Sequence, residues 1–288
     1  MNFDITEKAM LASLQISQWS ARKHDKRVSA EVNEKYNGKD AGRFNKVLAT
    51  KESLKEIQAA VGAARTFHME QTLAWGERGE RLLPSKNYSE YSRQMRVFKQ
   101  EFERAVDAFV SDYHQVIFEA RQSLGGLFCR EDYPELSGIR AKFDFKTVIA
   151  PVPAGEDFRV SLAHEEVVAI QQDIEQRLQA SNAAATRDLW QRLYQVVGHM
   201  VERLSDPEAI FRDSLVVNIA KMTELLPRLN LHDDPQLEAM RRQIEASLCQ
   251  YSPAQLRCDK DIRRQAASEA QQILDSMAGY VEATEVAA

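Results

Sequence analysis

Cysteine is scarce in this chain: its 288 residues include only three, Cys129, Cys249 and Cys258. Their number is odd and no two of them form a CxxC pair, so the sequence offers neither a disulfide framework nor a zinc site. Reduced thiols in a reducing compartment are the simpler interpretation. Glycine and proline are also few, at 11 and 8 residues. That composition excludes a collagen-like or low-complexity chain.

Long apolar runs are missing as well. No segment approaches the roughly 20 consecutive apolar residues that a membrane-spanning helix needs. The first ten residues carry acidic side chains and lack the apolar stretch of a secretory signal. We therefore expect a cytoplasmic protein, in a bacterium or in a phage-infected cell. The formal net charge of −5 argues against binding nucleic acid with the whole surface.

Motifs that identify a catalytic chemistry are not found. The sequence has no G-x-x-x-x-G-K-[ST], no G-x-G-x-x-G and no G-x-S-x-G. The six histidines are scattered, and none is spaced with a second ligand as in a metal-binding helix. We predict a non-enzymatic protein with no catalytic residue, no cofactor and no metal. An enzyme stays open only if distant carboxylates or histidines converge in three dimensions.

Three local patterns have a chemical and a structural interpretation. The stretch His164–Glu166 lacks the second His of H-E-x-x-H, and its acids suit a helix start. The acids of His232–Asp234 precede Pro235, which favours a helix N-cap over a metal site. Cys129 stands beside Arg130, a cation that lowers a thiol pKa, but no base for a nucleophile can be placed.

Helical periodicity covers most of the chain. Two stretches, from about Ser89 to Leu124 and from about His164 to Leu204, repeat apolar residues in steps of three and four. We predict two long antiparallel helices, as in a coiled coil. The aromatic residues of the first stripe, such as Phe102 and Phe109, are predicted to be core. Shorter helices are predicted from about Phe44, over Glu208–Leu226, over Pro235–Leu248 and over Ser252–Val281.

The stretch Arg140–Leu162 between the long helices is the one extended piece that does not look helical. Phe143 and Phe145 share one face, and Lys142 and Lys146 share the other. Two strands, at about 140–152 and 157–162, are predicted to form a β-hairpin. A third strand at about 10–19 is predicted to join them, because a lone hairpin is marginally stable; a helix at 10–19 is the alternative.

The predicted fold class is mainly α: a long antiparallel helical hairpin or coiled coil, a small antiparallel β-sheet and a C-terminal helical bundle. The long-helix pair with the sheet is assigned to residues 1–204. The C-terminal helical region is assigned to residues 205–288 and is predicted to pack on the first part.

Two groups of basic residues are the candidate partner-binding sites. The densest basic cluster of the chain spans residues 22–27, and a second group lies on the polar face of the predicted hairpin. A solvated turn or helix start is the alternative interpretation of the cluster. The candidate residues are Arg22, Lys23, Lys26, Arg27, Lys142 and Lys146.

The first 165 residues or so contain an ordered set of features that carries a family resemblance. The features are Trp19 followed by Arg22-Lys23, a long helix with Phe102, Phe109 and Tyr113, and an A-x-F-x-F strand with Ala141, Phe143 and Phe145. The set resembles the bacterial, phage and mobile-element proteins called domain of unknown function 3150. The resemblance implies neighbours, a MoxR-like AAA+ ATPase and a von Willebrand factor A domain protein, and it carries no catalytic residues.

The leading hypothesis is a non-enzymatic interaction protein of phage or mobile-element origin, with an AAA+ ATPase or a second copy of itself as partner. The hairpin would be its docking end. The alternative is a nucleic-acid-associated protein that uses the basic cluster at 22–27. A membrane-perturbing bundle with a β-tongue ranks last, because the tongue carries several charges, among them Lys142, Asp144 and Lys146.

Overall fold

The computed structural model describes residues 5–76, 79–154 and 164–286. It confirms a mainly α fold with a small antiparallel sheet. The helices are α1 Ile5–Lys8, α2 Lys26–Lys35, α3 Lys55–Gln71, α4 Tyr88–Ser111, α5 Tyr113–Leu124, α6 Leu136–Arg140, α7 His164–Ser205, α8 Ser214–Leu229, α9 Pro235–Leu248, α10 Pro253–Cys258 and α11 Lys260–Val286. The strands are β1 Ala9–Ser17, β2 Arg22–His24, β3 Asn45–Val47, β4 Leu73–Ala74, β5 Arg81–Pro84 and β6 Asp144–Pro151.

Contacts divide the chain into two units, and each is built from separate segments. The first unit comprises Met1–Ser13, Met69–Tyr91 and Val148–Ala288. The second comprises Leu14–His68 and Ser92–Thr147. The predicted boundary at residue 204 separates two continuous segments of the chain. Each unit defined by contacts instead combines segments that are distant in the sequence.

The larger sheet has the strand order β4-β5-β1-β6. The predicted strand at 10–19 is present as β1, which decides between strand and helix there. The first predicted hairpin strand is present as β6, next to β1. The second, at 157–162, lies outside the described residues. The sequence pattern did not reveal β4 and β5, which have only two and four residues and so show no periodicity.

Helix α7 is the long element of the first unit, and its antiparallel partner in that unit is α11. Trp190 stacks on Tyr280 with ring centroids 4.6 Å apart, while Arg263, near the start of α11, donates to the carbonyl of Leu204 at the end of α7. The bounds of α7 match the predicted helix. The pairing with α11 was not visible in the sequence, because periodicity shows an apolar face but not its partner.

Three other predicted helices have different bounds. The helix predicted from Phe44 begins at Lys55, because residues 45–47 form β3. The helix predicted from Ser89 is interrupted at Asp112, between α4 and α5. The last predicted helix is divided at Asp259, whose extended backbone ends α10 and whose side chain accepts from Ile262 N at the start of α11.

The core of the second unit is aromatic, as the stripe of the first long helix predicted. Phe102 contacts Phe145, and Phe109 contacts Phe143, each with ring centroids 5.6 Å apart. All four side chains are buried. Trp19 packs edge-on against Tyr113, which in turn contacts Phe109. These contacts join the predicted helical stripe to the predicted strand face within one core.

The Asp at the start of α9 is an N-cap, as the sequence predicted. The Asp234 carboxylate accepts from Gln236 N at 2.8 Å, and Pro235 occupies the first helical position. We expect Asp234→Ala to lower the free energy of unfolding by about 1 kcal/mol. Asp234→Asn is the control, because Asn caps equally well. Chemical denaturation checks both, and an equal loss in the two variants would contradict the capping role.

Candidate functional site

The basic cluster lies in a small α/β module, which we call the basic arm and define as residues 22–47. Strands β2 and β3 pair in antiparallel register, with Arg22 opposite Val47 and His24 opposite Asn45. Helix α2 connects them and begins at the N-cap Asp25, which accepts from Val28 N at 3.1 Å. The cluster is therefore a short strand followed by a helix start, and the helix start is one of the two structures that the alternative interpretation expected.

A buried ion triad holds the base of the basic arm. Lys46 Nζ lies 2.5 Å from Asp132 Oδ2 and 3.4 Å from Asp25 Oδ2, and it donates to the Leu127 carbonyl. The three charged side chains are only 7%, 11% and 13% exposed. Asp132 raises the pKa of Lys46, so the ammonium stays charged. The Val28 amide and Lys46 lower the pKa of Asp25.

A serine adds a second fixation point inside the basic arm. Ser29 is buried, and its hydroxyl donates to the Asp25 carbonyl at 2.7 Å. The same oxygen accepts from the backbone amide of Phe44 at 2.9 Å and lies 3.0 Å from His24 Nε2. One side chain thus links β2, α2 and the segment that enters β3. These internal contacts hold the arm in one conformation.

The exposed charge of the basic arm is positive. All four candidate residues of the cluster, Arg22, Lys23, Lys26 and Arg27, are exposed. Arg27 lies 3.9 Å from Glu31, an exposed pair that contributes little. Residues 22–47 contain eight Lys and Arg against four Asp and Glu, a formal charge of +4 in a chain of −5. The arm is therefore a local basic surface on an acidic protein.

Four large apolar side chains are exposed among these charges. Tyr36 is 73% exposed, Val47 53%, Val32 47% and Phe44 37%. Single exposed apolar residues are ordinary, but four within 16 residues of one small module are typical of an interaction surface. Sequence reasoning missed these four residues. The available signal was the spacing of Val28, Val32 and Tyr36 in steps of four, which places them on one side of a helix.

The other two candidate residues lie on a different segment of the chain. Lys142 precedes β6 and Lys146 lies in it, and both are exposed. Phe143 and Phe145 between them are buried. The predicted alternation of faces is confirmed. The structure brings Arg22–Arg27 together in one module and places Lys142 and Lys146 outside it.

The other local patterns have structural explanations. The Cys129 thiol donates to Glu131, which raises the pKa of the thiol, so the expected lowering by Arg130 is wrong. His232 lies 2.6 Å from Asn182, and burial lowers the pKa of His232. Among the described side chains, no group of His, Cys, Asp or Glu is arranged to hold a metal ion.

No helix in the described parts of the chain combines the length and the apolar character that a membrane span requires. No protein-family model, no curated protein and no solved structure matches this chain.

Proposed function

We propose that this chain is a non-enzymatic interaction protein that binds a protein partner through the basic arm. The observation that carries the proposal is the exposure of four large apolar side chains among exposed basic groups on a module that a buried ion triad fixes. Apolar contacts supply affinity in protein interfaces, and charge supplies orientation and a faster encounter. The partner surface is therefore acidic with an apolar centre.

The family resemblance supports a choice of partner to test first. It implies a MoxR-like AAA+ ATPase and a von Willebrand factor A domain protein as neighbours. We propose that the chain is an accessory protein of such an ATPase, of phage or mobile-element origin and cytoplasmic. In this proposal the chain supplies recognition of the partner, and the ATPase carries out the catalysis.

Reversing the charge at the start of α2 is expected to weaken partner binding. Lys26→Glu with Arg27→Glu should raise the dissociation constant at least about tenfold, because like charges then face each other across the interface. The variant keeps its fold, since acidic residues in the first turn complement the helix dipole. Affinity for the neighbouring ATPase, measured by calorimetry on purified proteins, checks the prediction.

The matched control is Lys51→Glu with Lys55→Glu. Both lysines are exposed and lie before or at the start of α3, outside the basic arm. This control is expected to bind like the wild type. Equal affinity of the arm variant and the wild type would contradict the proposal. The absence of any protein partner, together with a strictly monomeric mass, would contradict it as well.

A second candidate function is nucleic-acid association through the same cluster. Its supporting observation is the exposure of Tyr36 and Phe44 beside arginines and lysines, because bases stack on exposed aromatic rings next to a basic groove. A gel shift with single-stranded DNA or RNA that weakens steeply with salt would support it. No shift at low salt would exclude it.

A further inference from the structure

The N-terminal half of α7 differs sharply from the rest of the helix in burial. No residue from 164 to 184 is buried, whereas Ala185, Leu189, Trp190, Leu193, Val197, Met200 and Leu204 all are. The unburied half spans about 30 Å at 1.5 Å per residue. A helix that buries one half and leaves the other at the surface offers a long surface for contact.

The unburied half of α7 still carries an apolar stripe. Val167, Ile170 and Ile174 follow one another in steps of three and four, and each is only partly buried. The next member of the stripe, Leu178, packs against the core of the unit, so the stripe available for contact is its first three residues. Such a stripe is the usual seam for a second helix. We call residues 164–180 the acidic ridge, because charged residues flank this stripe.

The charge of the acidic ridge is opposite to that of the basic arm. The ridge contains Glu165, Glu166, Asp173 and Glu175 against the single base Arg177, a formal charge of −3 with histidine neutral. All five charged side chains are exposed. Arg177 pairs with Asp173 at 2.5 Å, so the other three carboxylates hold the excess charge. One chain thus carries an acidic and a basic surface, both with exposed or half-exposed apolar groups.

We infer that the acidic ridge is the docking site for the basic arm of a second copy of this chain. The inference rests on the proposed function, since it takes the basic arm as an interaction surface. Val32 and Tyr36 of one copy pack on the apolar stripe of the other. Lys26 borders that face of α2, whereas Arg27 lies on the far face and acts through the overall positive charge of the arm. The ten residues of α2 cover about 15 Å, so the ridge is long enough to receive them. The contact is head-to-tail, and repetition yields a ring or a filament.

Charge reversal on each side tests the inference. The ridge variant is Asp173→Lys with Glu175→Lys, and the arm variant is Lys26→Glu with Arg27→Glu. In sedimentation of the full chain at low salt, each variant should self-associate at least about tenfold more weakly than the wild type. The chain that carries all four changes should recover self-association, because the charges are again opposite. An equimolar mixture of the two variants should recover it too.

A third variant controls for nonspecific effects of charge. Glu202→Lys with Glu208→Lys reverses two exposed acids of the same unit outside the ridge, and it should associate like the wild type. Circular dichroism establishes that each variant is folded before its mass is compared. A wild-type chain that stays monomeric at high concentration and low salt would overturn the inference. So would a four-change chain that does not recover.

The same variants separate this inference from the proposed function. If the arm variant loses a different protein partner while the wild-type chain is monomeric, the proposed function stands and the inference fails. If the arm variant binds every partner and self-associates like the wild type, both fail. If the ridge variant alone weakens self-association, with no recovery in the mixture, the ridge has another occupant and the inference fails.

Discussion

Lys46→Met is expected to be among the most destabilising substitutions in the second unit. It removes the ammonium that Asp25 and Asp132 share and leaves two carboxylates together at a largely buried site. Removing one partner of a buried ion pair lowers the free energy of unfolding by about 3–5 kcal/mol, because an uncompensated charge remains buried. The side chain of Met fills a similar volume, so the loss is electrostatic rather than steric.

The measurement is the free energy of unfolding by chemical denaturation, combined with hydrogen exchange of the α2 amides. We expect exchange in α2 to accelerate, because the triad fixes the base of the basic arm. Lys39→Met is the control, since Lys39 is exposed on the same arm. Its effect should stay within about 0.5 kcal/mol. Equal stability of the two variants would show that the triad contributes nothing.

The difference between wild type and Lys46→Met should depend on pH in a defined direction. The pKa of Lys46 is raised, so its contribution is complete below its unfolded pKa of about 10.4 and is lost only as pH rises through the higher folded value. The pKa of Asp25 is lowered, so its contribution is present above about pH 3.9 and is lost as pH falls through the lower folded value. The difference should therefore shrink in acid, and a difference that stays constant down to pH 2 would contradict this account.

Arg263→Ala is expected to produce a comparable loss in the first unit. The Arg263 side chain is buried, and its guanidinium donates to the carbonyls of Arg203, Leu204, Asp206 and Ala209. These carbonyls belong to the C-terminal end of α7 and the turn beyond it, where a cation also complements the helix dipole. Hydrogen bonds from a charged donor contribute about 1.5–3 kcal/mol each, and several share this donor, so we expect a loss of about 3 kcal/mol.

The neighbouring residue provides the control. Arg264 is exposed, pairs with Asp261 and donates to the Lys260 carbonyl, and both partners belong to its own helix. Arg264→Ala should change the free energy of unfolding by about 0.5 kcal/mol or less. Chemical denaturation of both variants checks the pair. A similar small effect for Arg263→Ala would mean that water replaces the guanidinium at these carbonyls.

Arg263 also explains why one predicted helix begins late. The pattern at 208–226 predicted a helix from Glu208, but α8 begins at Ser214. The carbonyls of Asp206 and Ala209 in the intervening turn accept from Arg263, 54 or more positions along the chain. Such a long-range donor holds these residues in a turn, and no local pattern shows it.

The candidate site was only partly predictable for a similar reason. The density of basic residues at 22–27 was visible in the sequence, as was the alternation of Phe143 and Phe145 with lysines. The pairing of β2 with β3 was not visible, because each has three residues and the second lay in a predicted helix. The role of Lys46 was invisible too, since Asp132 is 86 positions away.

Local periodicity determined the kinds of element in this chain: a mainly α protein, with strands at β1 and β6, a long α7 and an aromatic stripe in the core. It could do so because steps of three and four, or of two, define a buried face within a single element. The tertiary structure decided which faces meet. Only it paired α7 with α11, and only it placed Lys46 between two carboxylates. Those pairings depend on contacts between distant residues, which the apolar pattern of one element does not contain.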